Sequence, residues 1–294
     1  MKNRESFDNA FKNGFVKAYS PSHITGFFVI CDNKNPLYKG SVGCGFVLES
    51  GCVTEVSLNN QVKIKINGME EDANTTKYVL DNLAGESKII VSTDFEVPTE
   101  CGFGASGAGA LSTALALNEL LSLNMTLNEV VQLAHCAEVE NNTGLGDVIA
   151  ETYGGIVIRK KPGPPGIGVI DGIPLRKEKI SYVVLGKKRT KTVLEEGDAE
   201  IRGRINEYGR EAMKELMRMP TLENFMLVSR KFSLQIEIIS DKCQDAIEAV
   251  DAEGKVASVA MLGDTVFVIG DSEALKAFGE VKESRLSNAG AKII

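Results

Sequence analysis

The sequence predicts an α+β protein in two domains, residues 1–176 and 177–294, divided between Pro174 and Lys179. Three patterns carry that expectation. Strand-like segments fill most of the first 92 residues, and Ala/Leu-rich helical segments follow at 105–123 and 127–140. Between them the run Lys88–Ser92 feeds a glycine-rich loop that opens directly into a helix. Beyond the boundary the order is strand, helices, then paired strands, as in a small β-α-β-like domain. A chain of 294 residues suffices for one large or two ordinary domains.

Taken in order, residues 11–19 are an expected strand ending at Ser20-Pro21-Ser22-His23, and the apolar run Ile24–Ile30 reads as helix or buried strand. Asn33-Lys34-Asn35-Pro36 is a turn. Val42–Leu48 and Cys52–Leu58 read as strands on either side of Glu49-Ser50-Gly51. Val62-Lys63-Ile64-Lys65-Ile66 alternates as a half-exposed strand does, and Asn67-Gly68 turns the chain. Thr75–Leu83 reads as a helix. Thr126-Leu127-Asn128-Glu129 has the form of a capping box that starts the helix over 127–140. After the loop Asn141–Asp147 a short helical turn leads to Gly154-Gly155 and the strand Ile156–Arg159. Pro162-Gly163-Pro164-Pro165-Gly166 lies between two apolar runs and so reads as a hairpin tip. The second half offers a strand at Tyr182–Leu185, two or three helices between 198 and 250, strands at Ala257–Met261 and Val266–Ile269, and a helix near 272–279.

Composition narrows the function. A net charge of −7 argues against nucleic acid as the main partner, and no apolar run approaches a membrane span. The charged N-terminus lacks the apolar core of a signal peptide. Six scattered cysteines without zinc-type spacing read as free thiols in a reducing cytoplasm, and two histidines exclude a His-rich metal site.

The segment Pro98-Thr99-Glu100-Cys101-Gly102-Phe103-Gly104-Ala105-Ser106-Gly107-Ala108 carries the chemistry. Glycines turn the backbone tightly, and the helix start adds unpaired N–H groups and about half a unit of positive charge. Together these make a phosphate cradle. Gly102-x-Gly104-x-x-Gly107 also fits a dinucleotide fingerprint, but the acid at the required distance is Glu129, which the capping box already uses. No Lys follows the glycines, so a Gly-Lys-Ser/Thr loop is excluded and a nucleoside triphosphate is the expected guest.

Phosphoryl transfer also needs oxygen ligands for a metal and a group that positions the attacking hydroxyl. Ser106 is a candidate Mg²⁺ ligand or a helix cap. Glu138 is a candidate metal ligand or a solvated helix-end acid, with Glu140 as its competitor. Asp147 is positioned to accept or orient a hydroxyl proton, or to serve as a turn residue. Arg159, the only arginine between Arg4 and Arg176, is a candidate carboxylate clamp or an exposed strand end.

Together these segments resemble the GHMP kinase superfamily, whose phosphate motif has the form Pro-x-x-x-Gly-Leu-Gly-Ser-Ser-Ala. Pro98 to Gly107 matches it, with Ala105 for the first Ser and Gly107 for the Ala. Ala18-Tyr19-Ser20-Pro21-Ser22-His23-Ile24-Thr25-Gly26 resembles the first motif, and Gly144-Leu145-Gly146-Asp147 with Gly154-Gly155 resembles the catalytic Asp segment. Departures are Phe27, where sugar and mevalonate kinases carry an acid, and a third motif reduced to Ser258–Asp264. Those departures are similar to the archaeal pantoate kinase family, over nearly the whole chain. The resemblance implies a two-domain GHMP kinase fold, with an N-terminal domain like ribosomal protein S5 domain 2 and a C-terminal ferredoxin-like α/β domain. It implies ATP and Mg²⁺, phosphorylation of the 4-hydroxyl of (R)-pantoate in coenzyme A biosynthesis, and a homodimer. By the same resemblance Asp147 is catalytic and Ser106 and Glu138 hold the metal. A carboxylate-bearing substrate calls for cationic and hydroxyl partners, for which Arg159, His135, His23 and Thr190 are the candidates. The alternatives are a GHMP kinase for mevalonate, homoserine or shikimate, a non-catalytic nucleotide-binding regulator, and a dinucleotide oxidoreductase.

Overall fold

The computed structural model describes residues 14–174, 177–187 and 199–294. Thr190 lies outside them. The strands are β1 (Phe15–Cys31), β2 (Gly40–Leu58), β3 (Lys63–Ile66), β4 (Met69–Glu70), β5 (Ile89–Phe95), β6 (Ile156–Lys161), β7 (Val169–Ile173), β8 (Lys179–Gly186), β9 (Ala257–Val259), β10 (Asp264–Ile269), β11 (Val281–Arg285) and β12 (Lys292–Ile293). The helices are α1 (Asn74–Leu83), α2 (Ala105–Leu120), α3 (Leu127–Glu140), α4 (Asp147–Tyr153), α5 (Ala199–Arg218), α6 (Leu222–Gln235) and α7 (Asp241–Ala252).

One sheet has the order β12-β1-β2-β5-β3-β4, with β6 on β2 and β7 on β6; the other is β11-β8-β10-β9. β1 and β2 are each continuous where the sequence suggested breaks. Ser22 pairs with Leu48 and Pro21 with Gly51, so Glu49 and Ser50 are extra residues in a bulge rather than a turn. Pro21 sits at this bulge, where its missing N–H is tolerated. A second bulge leaves Gly26 unpaired between Thr25 and Phe27. The run Ile24–Ile30 is thus buried strand, covered by α6: Phe27 and Phe28 both meet Phe232 edge-on. The Pro162–Gly166 hairpin tip is borne out by the β6–β7 pairing, and Thr126 and Glu129 cap α3 reciprocally. The segment near 272–279 is only a 3₁₀ turn, Ala274–Ala277. β11 had no clear strand pattern in the sequence, and β12 returns the chain end to β1 through Ala18–Ile293.

The two sheets share one apolar core. Phe46 of β2 packs against Phe267 of β10 with ring centres 5.2 Å apart. Phe103 of the glycine-rich loop packs edge-on against Tyr182 of β8 at 5.0 Å. Such aromatic pairs add roughly 0.5–1.5 kcal/mol each beyond area burial. They also fix the loop against the second sheet.

Candidate active site

A cavity of about 730 Å³ opens over the start of α2. Gly102, Phe103, Gly104, Ala105 and Ser106 form one wall, and Gly146, Asp147 and Arg159 another. Gly102 and Gly104 have φ of 88° and 66°, the left-handed region that admits glycine at little cost. Gly104 takes the N-cap position, so Ser106 is not the helix cap. Ala108 N–H already bonds Gly104 O at 3.0 Å, which removes Ala108 from the phosphate-binding set expected from the sequence. The amides of Ala105, Ser106 and Gly107 have no partner within the helix and remain for an anion. Pro98 lies outside the cavity wall, at the loop's approach.

The second sheet completes this wall. Met261 and Leu262, from the β9–β10 connection, line the cavity. Met261 N–H donates to Thr25 O, and the Thr265 hydroxyl donates to Cys101 O at 2.8 Å, fixing the connection to β1 and to the loop. The reduced third motif therefore supports the loop from behind.

Ser106 Oγ donates to Glu138 Oε1 at 2.8 Å, across α2 and α3. Glu138 is buried at that contact, whereas Glu140 is exposed. Burial pushes the Glu138 carboxyl up to about 8, and the nearby Asp147 pushes it the same way. Gly144 leaves room for this group: a Cβ there would collide with both Glu138 oxygens. Mg²⁺ takes few protein ligands and completes its shell with phosphate and water. An adjacent hydroxyl and carboxylate at an anion-binding helix start fit that donor set.

Asp147 begins α4. His23 Nδ1–H donates to Asp147 Oδ1 at 2.7 Å. Burial lowers the His23 pKa, which keeps the ring neutral. Burial alone would raise Asp147, but the His23 hydrogen bond and the Arg159 cation outweigh it and hold the carboxylate below its ordinary range. His23 is fully buried against Gly45 and does not line the cavity; its ring meets the cavity residues Asp147 and Thr25. Its expected direct contact with substrate is replaced by a positioning one.

Arg159 is 1% exposed, and its Nε and Nη1 have no hydrogen-bond partner among the described residues. A side chain at Gly146 would meet Arg159 Nε at 2.5 Å and Ser41 Oγ at 2.7 Å. The glycine thus opens the space between guanidinium and cavity. His135 does not join the site; its ring bonds Lys39 O at 2.9 Å and the Pro36 backbone, holding that turn. Sequence reasoning missed Thr25, Phe28, Ser41 and Lys187 on the cavity wall, and Glu151 behind it. Two carried a signal: Thr25 through the first motif that contains it, and Glu151 as the acid four residues after Asp147 on one short helix.

Residues 73–155 match the model of the GHMP kinases N terminal domain. The chain is 38% identical over 276 residues to a pantoate kinase of Methanocaldococcus jannaschii, covering 88% of this chain and 94% of that one. It is 36% identical over 275 residues to a pantoate kinase of Thermococcus kodakarensis, covering 89% and 90%. The chain belongs to the pantoate kinase family of GHMP kinases. A solved structure described as a phosphotransferase related to the CoA biosynthesis pathway superimposes with a TM-score of 0.85 at 30% identity, over 95% of this chain and 98% of that one. The two-domain GHMP fold expected from the motifs is borne out. As a GHMP kinase the chain takes ATP as a substrate.

Proposed function

We propose that the chain transfers the γ-phosphoryl group of ATP to the 4-hydroxyl of (R)-pantoate, giving 4-phosphopantoate for coenzyme A biosynthesis. The observation that carries this reading is Arg159: a buried guanidinium on the cavity wall, two of whose nitrogens find no acceptor among the described residues, beside Asp147 and opposite the phosphate loop. A buried cation without a partner is costly unless a ligand anion completes it. Pantoate brings a carboxylate for that fork and apolar methyls for Phe28, Leu145, Met261 and Leu262.

The amides of Ala105, Ser106 and Gly107 bind the phosphates. Ser106 and Glu138 would hold Mg²⁺, which when bound neutralises charge on the transferring phosphoryl group. Asp147 receives or orients the substrate hydroxyl, and neutral His23 keeps its second oxygen free for that contact. Its low pKa favours the orienting role, since phosphoryl transfer through a loose transition state asks little of a base. We assign residues 1–176 and 177–294 to the two domains and read the enzyme as a cytoplasmic homodimer. The six free cysteines support a reducing compartment.

An ADP-release assay over (R)-pantoate, mevalonate, homoserine and shikimate tests the reading. Turnover with pantoate and not with the others is expected. Turnover with homoserine or mevalonate alone would replace the substrate assignment, and ATP binding with no turnover on any hydroxy acid would favour a regulator.

A further inference from the structure

Glu151 takes no part in the scheme above, yet its placement is unusual. It is fully buried, and neither carboxyl oxygen has a hydrogen-bond partner among the described residues. It stands one turn after Asp147 on α4, so the two side chains share a face. That face lies against the first turn of α2. A Cβ at Gly104 would sit 2.5 Å from Glu151 Oε1 and 3.1 Å from Asp147 Cβ. A Cβ at Gly107 would sit 3.0 Å from Glu151 Oε2 and 2.9 Å from Glu138 Oε2. Gly107 stands where the GHMP motif has Ala. The volume of that methyl is occupied here by two carboxyl groups, one from α3 and one from α4.

We propose that Glu151 is a positioning residue for phosphoryl transfer: its carboxyl fills the room left at Gly107 and holds the first turn of α2 in register with Glu138 and Asp147. Neither Glu151 oxygen meets a hydrogen-bond partner among the described residues, and both lie against the glycines of the first turn. Shape therefore carries the effect. Removing the carboxyl leaves a void behind the amides and hydroxyl of Ser106, and a displacement of about 1 Å there is enough for a loss near 100-fold. Restoring the motif's methyl at Gly107 crowds the same space from the other side. The inference rests on the loop as the ATP phosphate site and is independent of the acceptor.

The test is a mutant cycle read by calorimetric binding of Mg²⁺ and a non-hydrolysable ATP analogue, alongside kcat and KM for ATP. Glu151→Ala is expected to weaken analogue binding and lower kcat by about tenfold or more, while near-isosteric Glu151→Gln stays within about threefold of wild type. Gly107→Ala alone is expected to lose about three- to tenfold. Combined with Glu151→Asp, which withdraws the carboxyl by one methylene, it is expected to recover most of that loss. Melting temperatures confirm that each variant is folded; if Glu151→Ala is not, the Gly107→Ala and Glu151→Asp pair decides. Independent, multiplying losses in that pair overturn the proposal, as does a Glu151→Gln variant as impaired as alanine. Analogue binding and kcat unchanged in Glu151→Ala overturn it too. Failure of wild type to bind the analogue would instead remove the phosphate-site reading itself.

Discussion

Replacing Arg159 by Met separates its cost to the fold from its use in binding. Arg159 is 1% exposed, and its Nε and Nη1 have no hydrogen-bond partner among the described residues. If both donate to the substrate carboxylate, two charge-assisted hydrogen bonds at roughly 1.5–3 kcal/mol each are lost. At about 1.4 kcal/mol per tenfold, kcat/KM for pantoate falls by some 10²–10⁴, while KM for ATP stays within about twofold. Stability moves the other way. Burying an ion carries an effective penalty of several kcal/mol, here offset in part by Asp147, and apolar replacements of similar volume are commonly neutral or stabilising by about 1–4 kcal/mol. The ligand-free Arg159→Met protein should therefore melt at the wild-type temperature or a few degrees above it. Pantoate should raise the melting temperature of wild type and not of the variant. Steady-state kinetics and calorimetric melting with and without pantoate read both effects. An unchanged pantoate KM in a folded variant refutes the clamp. A fall in melting temperature as large as a core truncation shows instead that the guanidinium is a structural group.

Three further outcomes follow from the same geometry. Asp147→Asn should lose turnover by about 100-fold or more while retaining ATP binding by calorimetry; near-normal turnover would leave positioning by other groups as the whole of catalysis. His23→Phe should lower kcat with little change in KM for pantoate, because His23 acts through Asp147, and a selective rise in that KM would show direct contact. Glu138 has a folded pKa of about 8, above its unfolded value, so its stability contribution is complete below about pH 4 and is lost as pH rises through 8. Without divalent cation or nucleotide, the melting temperature should fall between pH 5 and 8, and Glu138→Gln should flatten that fall; parallel pH profiles would contradict the assignment.

Short-range chemistry was legible. The helix start at Ala105, the Thr126–Glu129 capping box and the Pro162–Gly166 hairpin tip each depend on residues within a few positions of one another. Ser106, Glu138 and Asp147 were legible through the motifs around them. The breaks expected near Pro21 and Gly51 were misread because one bulge satisfies both local signals while pairing continues on either side. From the loop alone Ser106 read as a helix cap before a ligand, until the backbone gave the cap to Gly104.

Residue type, spacing and turn chemistry singled out the glycine-rich loop and the cation Arg159 in the sequence by itself, and the resemblance to GHMP kinases singled out Ser106, Glu138 and Asp147 around it. Only the tertiary structure decided that His23 supports Asp147 while His135 holds a distant turn, that Glu138 rather than Glu140 meets Ser106, and that Glu151 lies beneath the loop. Those outcomes depend on which buried polar groups find partners when two sheets close over one core, and that competition runs between residues 32 to 124 positions apart.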